Sequence, residues 1–243
     1  MTSVSIHQPA YLPWLGYFHK IAMSDIFVFF DTTQFEKNSF INRNKIKTPQ
    51  GAKWLTIPVV SKDHFDKQIK EIKIATSNWQ AKHWKAIELN YKKAPFWDKY
   101  SQELKNIYKT NYQTLDEPCF DQLVFLTKAL GIDTQIVKSS DLPQFQTKKE
   151  DLVIDICKEL KADLYISGAL GKEYITDEHF TKQNISLYFQ SYQHPEYKQR
   201  WQDFVPYMAV IDLLFNHGEK SLEILMSGNI NKQQLKNNYQ LYV

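Results

Sequence analysis

The amino-acid sequence predicts an α/β protein, built as a parallel-type twisted sheet with helices on both faces and a helical insertion or cap. Three observations predict it. Residues 4–44 begin with the β-prone run Val4, Ser5, Ile6, stop at Pro9 and Pro13, turn helical near Trp14, and return to an apolar strand over residues 26–30. Residues 134–172 repeat that alternation, and residues 77–130 between the two units hold helical patterns only. A strand joined through a helix to a second strand makes a right-handed crossover in a parallel sheet, so both strand ends face one rim. The expected division is an α/β core of residues 1–76 and 131–243, with residues 77–130 as the cap.

In the opening unit, His7 and Gln8 end the first strand, Tyr11 lies in the loop that follows, and Asp31 ends the second strand. Trp14, Leu15, Phe18 and Ile21 recur at helical spacing and read as core, with Gly16 allowing close helix–strand packing. Residues 35–51 read as a long polar loop carrying Lys37, Asn42, Arg43, Asn44, Lys45 and Lys47, closed by the turn Thr48-Pro49-Gln50-Gly51. Residues 54–60 form an apolar strand edged by Pro58, and Ile69, Ile72 and Ile74 mark another extended segment.

Ser77 with Gln80, and Thr114 with Glu117, fit capping boxes that open helices, and Pro118 falls in a first turn where its missing donor is harmless. Gly131 stops the last of these helices. A strand follows at residues 134–137, then a third capping box at Thr147 and Glu150, and a helix with Leu152, Val153, Ile156 and Leu160 on one face. The strand at residues 164–166 delivers Ser167-Gly168-Ala169-Leu170-Gly171-Lys172 at its carboxyl end, where glycines let backbone amides approach an anion. It lacks the spacing of a P-loop. A further strand spans residues 186–190, His194 precedes Pro195 in an extended loop, and a helix over residues 206–216 carries Asp212 in its apolar stripe. The tail from Asn229 is polar and expected to be weakly ordered.

Composition narrows the function classes. The 243 residues are 43% hydrophobic and 14% aromatic, enough for a large core, and the net charge of +3 falls short of the basic face of a dedicated nucleic-acid binder. Cys119 and Cys157 lie far apart in apolar helical patterns and read as buried thiols. No His-Glu or His-His pair has helix-ligand spacing, so no metal is expected. No basic-then-apolar leader opens the chain, and its longest apolar run, residues 207–215, is broken by Asp212. A cytoplasmic protein without membrane insertion is expected, since spanning takes about 20 apolar residues.

The runs IHQPAYLPWLGYFHKIA and SDIFVFFDTTQFEKNSFINRNKIKTPQGAKWLTIPV closely resemble the opening of the WbqC-like protein family. The resemblance continues at YISGALGKEYI, YQHPEYKQ and IDLLFNHG, so it covers nearly the whole chain. Where the family commonly has Pro-Gly or Gly-Gly after Ser-Gly, this chain has Ala169 and Leu170. Members are typically encoded among bacterial genes for O-antigen and other surface polysaccharides. The resemblance therefore implies group transfer in that assembly, acyl or aminoacyl transfer onto a nucleotide-linked amino sugar.

Ligands of open α/β sheets bind beyond the carboxyl ends of the strands. The expected site joins the His7 loop, the Asn42-Arg43-Asn44 loop and the Ser167 loop around an anionic small molecule. His7 is the expected acid/base, because its ordinary pKa of ~6.5 lies near working pH, and Asp31 is expected to orient it or a substrate amine. Arg43 and Lys172 are expected to hold phosphate or another acidic group. Gln8, Tyr11, Asn42, Asn44, Ser167, Gly168, Gly171 and His194 complete the candidate binding residues. A nucleotide or a coenzyme A derivative is the candidate cofactor, and other enzymes of the pathway are candidate partners. The competing expectation is a non-catalytic module that binds a nucleotide sugar or a pathway enzyme.

Overall fold

In the computed structural model the described residues are 1–37, 39–60, 66–76, 78–173, 175–201 and 203–240, the Gln240 side chain excepted. Five short strands, β1 (Ser3–His7), β2 (Ile26–Phe29), β5 (Gln135–Lys138), β6 (Leu164–Ser167) and β7 (Ser186–Phe189), form one sheet in the order β5-β2-β1-β6-β7. Every pairing in it is parallel. Helix α1 (Leu15–Ala22) connects β1 to β2, and α5 (Lys149–Glu159) connects β5 to β6 on the other side of β1. The strand order therefore reverses between β1 and β6, and such a switch point leaves a crevice outside the strand ends.

Alternation along the strands divides the core between two faces. Val4, Ile6, Val28 and Tyr165 pack with Val153, Ile156 and Cys157 of α5, and with Phe180 of α6 (Asp177–Thr181). Phe27 and Phe29 turn to the opposite face, into a larger cluster with α1, α2 (Trp79–Tyr91), α3 (Trp97–Ile107), α4 (Asp116–Leu130), α7 (Val210–His217) and α8 (Ser221–Met226). The sheet is thus sandwiched, and the residue 79–130 helices share the core of α1 and α7. Gly16 lets the Trp14 indole lie across α1: a Cβ there would stand 2.3 Å from the ring.

Several local expectations are corrected. Residues 43–48 are not loop but strand β3 (Arg43–Thr48), paired antiparallel with β4 (Gly51–Thr56) through the expected turn at Pro49 and Gln50. Its one asparagine and two lysines have low β-propensity, so the pairing with β4 is what reveals it. Ile69, Ile72 and Ile74 do not form a strand: residues 69–71 make a 3₁₀ turn, and Ile74 joins only an isolated bridge to Val59. Thr147 and Glu150 do not cap α5; Thr147 reaches Asp155, and Glu150 holds Thr176 and His179. Glu117 does accept the Thr114 and Gln113 amides ahead of α4, whereas the Ser77 box falls on a residue outside those described. The tail is ordered as α9 (Lys232–Gln240), with Leu235 buried and Lys232 and Lys236 both on Asp25. No helix among the described residues is long and apolar enough to cross a membrane.

Candidate functional site

The crevice is built from the ends of β1 and β6. Register pairs Ser5 with Ile166, which carries His7 opposite Gly168 two residues on. His7 is partly exposed, and its Nδ1 lies 2.9 Å from the Gln8 carbonyl. A carbonyl only accepts, so Nδ1 bears the proton and Nε2 presents a lone pair. No described residue bonds to Nε2; the ring stands edge-on to Tyr17 at 4.7 Å. Burial, with the nearby Lys20 ammonium adding to it, lowers the His7 pKa to about 3. The ring is therefore neutral at pH 7 and starts as an acceptor or base.

Lys20 was not singled out by sequence, because a lysine between Phe18 and Ile21 reads as the solvent side of α1. It is 2% exposed, and its Nζ donates to the Ile6 carbonyl at 3.0 Å. A Cβ on Gly168 would meet a single atom within 4 Å, the Lys20 Nζ at 3.8 Å. Burial lowers the Lys20 pKa to about 7. The signal that finds it is the row Gly16, Lys20, Ser24, spaced four apart, which faces the sheet; Ser24 Oγ lies 2.6 Å from Ser5 Oγ.

Around this pair, Gln8 Nε2 donates to Thr33 Oγ1 at 3.0 Å and Tyr17 OH donates to the Gln8 carbonyl at 3.4 Å. Ser167 is buried with its hydroxyl on the Gly168 carbonyl, and a Cβ on Gly171 would fall 1.9 Å from that hydroxyl. Gly171 thus makes room for the turn over Ser167. Gln190, also unflagged by sequence, donates from its backbone to the Ser167 carbonyl and from Nε2 to the Gly16 carbonyl, tying β7 to α1.

The other candidates stand elsewhere. Asp31 does not orient His7: its carboxylate accepts Ser139 Oγ at 2.7 Å, Ser140 N at 3.0 Å and Ser140 Oγ at 2.6 Å, closing the β2–β5 rim. Tyr11 is buried under the helices, its hydroxyl 2.8 Å from His83 Nδ1 and 2.6 Å from Tyr108 OH. Asn44 donates to the Leu12 carbonyl and holds that residue at φ +45°, while Asn42 donates to the Ile57 carbonyl. Asn44 thus braces the β1–α1 loop, and Asn42 ties the start of the hairpin to the segment after β4. Arg43 lies on the outer face of the hairpin, its guanidinium 4.8 Å from the centre of the half-exposed Trp54 ring. Lys172 is exposed over Phe189. His194 has both nitrogens engaged: Nδ1 donates to the Pro195 carbonyl and Nε2 accepts the Tyr207 amide.

A second buried polar cluster lies under α7. Asp212 accepts Tyr91 OH at 2.9 Å and Tyr197 OH at 3.0 Å, and Lys47 Nζ donates to Gln199 and to the Asp203 carbonyl. Its groups are tied to one another, in contrast to the crevice. Two shallow depressions of about 380 and 430 Å³ flank the helices, one beside Lys99 and Glu103, the other beside Trp84 and Lys109. Neither is lined by a residue of β1, β6 or the loops that follow them. Among the described residues, no group of three His, Cys, Asp or Glu side chains stands where it could hold a metal ion.

Comparison with known proteins fits this frame. The chain is 34% identical over 230 residues, 93% of its own length and 98% of the other's, to a Mycobacterium tuberculosis protein named Uncharacterized protein Rv1507c. No solved structure matches it significantly. The model of the WbqC-like protein family matches residues 8–224, from just after His7 to the middle of α8. The chain belongs to the WbqC-like protein family.

Proposed function

We propose that this protein is a cytoplasmic group transferase of bacterial surface-polysaccharide assembly, acting on an anionic, nucleotide-linked amino sugar at the β1–β6 crevice. The observation that supports the reading is a contrast along one rim. At β2–β5 the Asp31 carboxylate is fully occupied by Ser139 and Ser140, whereas at β1–β6 His7 offers an unpartnered Nε2 beside a buried lysine. A ring nitrogen left open at a partly exposed strand end, next to a buried amine, is free to meet a ligand, and such titratable groups cluster at functional sites.

In acyl or aminoacyl transfer the sugar amine attacks the donor carbonyl. The new N–C bond forms as the C–S or C–O bond to the leaving group breaks. His7 Nε2 takes the proton from the attacking nitrogen and passes it to the departing thiolate or phosphate. The nucleophile belongs to the substrate, because burial pushes the Cys119 and Cys157 thiols up, away from the thiolate form.

A thermal-stability screen against nucleotides, nucleotide-linked amino sugars, coenzyme A thioesters and amino acids tests the reading. A nucleotide-linked sugar at one hundred times its dissociation constant adds about 2.7 kcal/mol of stability, a rise of several degrees for a chain this size. A flat response across all four classes contradicts the transferase reading and favours a module that binds a protein of the same pathway.

A further inference from the structure

Lys20 is a buried amine with no counter-charge among the described residues. No carboxylate of the described residues forms an ion pair with it, although eight such pairs occur elsewhere in the described chain. Its one described partner, the Ile6 carbonyl, uses one of three ammonium protons. An isolated buried charge is costly enough that proteins pair it or neutralise it. A lysine kept only for packing would be better replaced by methionine or leucine.

The surroundings show where a counter-ion would enter. Gly168, partly exposed, has no side chain, and the space its Cβ would occupy looks onto Nζ at 3.8 Å. Charged and titratable groups on the neighbouring elements offer no alternative partner. His7 on β1 is neutral, and His19 on α1 is held by Gln190 and the Ile230 carbonyl. Lys172 after β6 and Glu223 on α8 are exposed, and Lys232 and Lys236 on α9 pair with Asp25.

We propose that Lys20 is the anion-binding cation of the crevice, and that a phosphoryl group of the ligand, entering over Gly168, supplies its missing counter-charge. This rests on the crevice reading above and names the part of the substrate held there. A compact ammonium with two free protons suits a phosphoryl oxygen cluster, whereas a planar carboxylate is matched better by a guanidinium fork. Binding is then linked to protonation. The free protein holds Lys20 partly neutral at pH 7, with its pKa near 7, and the phosphoryl group requires the charged form. Affinity therefore falls as pH rises above 7, by about tenfold per unit once the lysine is mostly neutral.

The test uses inorganic pyrophosphate and the full chain. The Cε resonance of Lys20 is followed by NMR across pH, with and without saturating pyrophosphate, and binding is measured by calorimetry at pH 7 and pH 9. We expect a free midpoint near pH 7 that moves up on binding, and weaker binding at pH 9 even though pyrophosphate itself becomes more negative. Lys20→Met should raise the dissociation constant by about tenfold or more, as expected for loss of a buried charge partner. Equal binding by Lys20→Met, an unmoved Lys20 titration, or no binding by the parent at millimolar pyrophosphate overturns the proposal. The crevice reading falls separately: it fails if Gly168→Val, which fills the same opening, leaves binding of the nucleotide sugar found by the stability screen intact.

Discussion

Asp212→Ala is expected to cost about 3–5 kcal/mol, the range found when one partner of a buried charged network is removed. Asp212 is fully buried in the first turn of α7 and accepts hydrogen bonds from Tyr91 and Tyr197, which approach from α2 and from the loop before α7. Removing the carboxylate leaves both hydroxyl protons without their acceptor, although Tyr91 OH still accepts the Lys47 amide, and takes away a negative charge near the buried Lys47. Urea unfolding monitored by fluorescence would read the loss. A change under 1 kcal/mol contradicts a structural role for the network, since even one unsatisfied buried group costs about 1–3 kcal/mol.

The same residue gives a pH signature. Burial, opposed by the two tyrosine hydroxyls, raises the Asp212 pKa to about 6. In that window the folded state binds more protons than the unfolded state, so ionising Asp212 costs stability as pH rises from about 4 to about 6. Asp212→Asn should remove that component of the pH dependence.

His7→Gln is expected to lower the transfer rate by about 10²–10⁴, the usual contribution of a positioned general base, while leaving the substrate dissociation constant nearly unchanged. Glutamine can hydrogen-bond in the same space but cannot take the proton from an attacking amine. The His7 pKa near 3 means that its own protonation gives the rate no limb between pH 5 and 8. Its stability effect has the opposite sign to that of Asp212. The depressed pKa favours the neutral ring, so stability is lost as pH falls from about 6.5 towards 3. A variant with equal turnover in a single-turnover assay would remove His7 from the chemistry.

The sheet and the two strand ends at the crevice were legible because apolar runs punctuated by proline and glycine carry a local signal. His7 and Ser167-Gly168 follow directly from it. What sequence missed depends on contacts between distant segments. Asp31 looks like a rim carboxylate until Ser139 and Ser140, more than a hundred residues away, occupy it. The Arg43 strand hides because its buried face mixes Asn44 and Thr48 with Ile46, and Asn44 braces the β1–α1 loop from the side. Lys20 shows the converse case: no local signal singles out a lysine between apolar helix residues, and only the row Gly16-Lys20-Ser24 marks the face against β1. His194 appeared functional beside its proline, but a carbonyl and an amide satisfy both ring nitrogens.

The most direct measurement is hydrogen–deuterium exchange of the full chain with and without the nucleotide-linked sugar that stabilises it. Slower exchange confined to residues 5–9, 16–22 and 166–172, the ends of β1 and β6 and the face of α1 between them, is the predicted result. Protection that maps instead to α2 through α4, or to the outer face of the β3–β4 hairpin around Arg43 and Trp54, would contradict a binding site at the strand-order reversal.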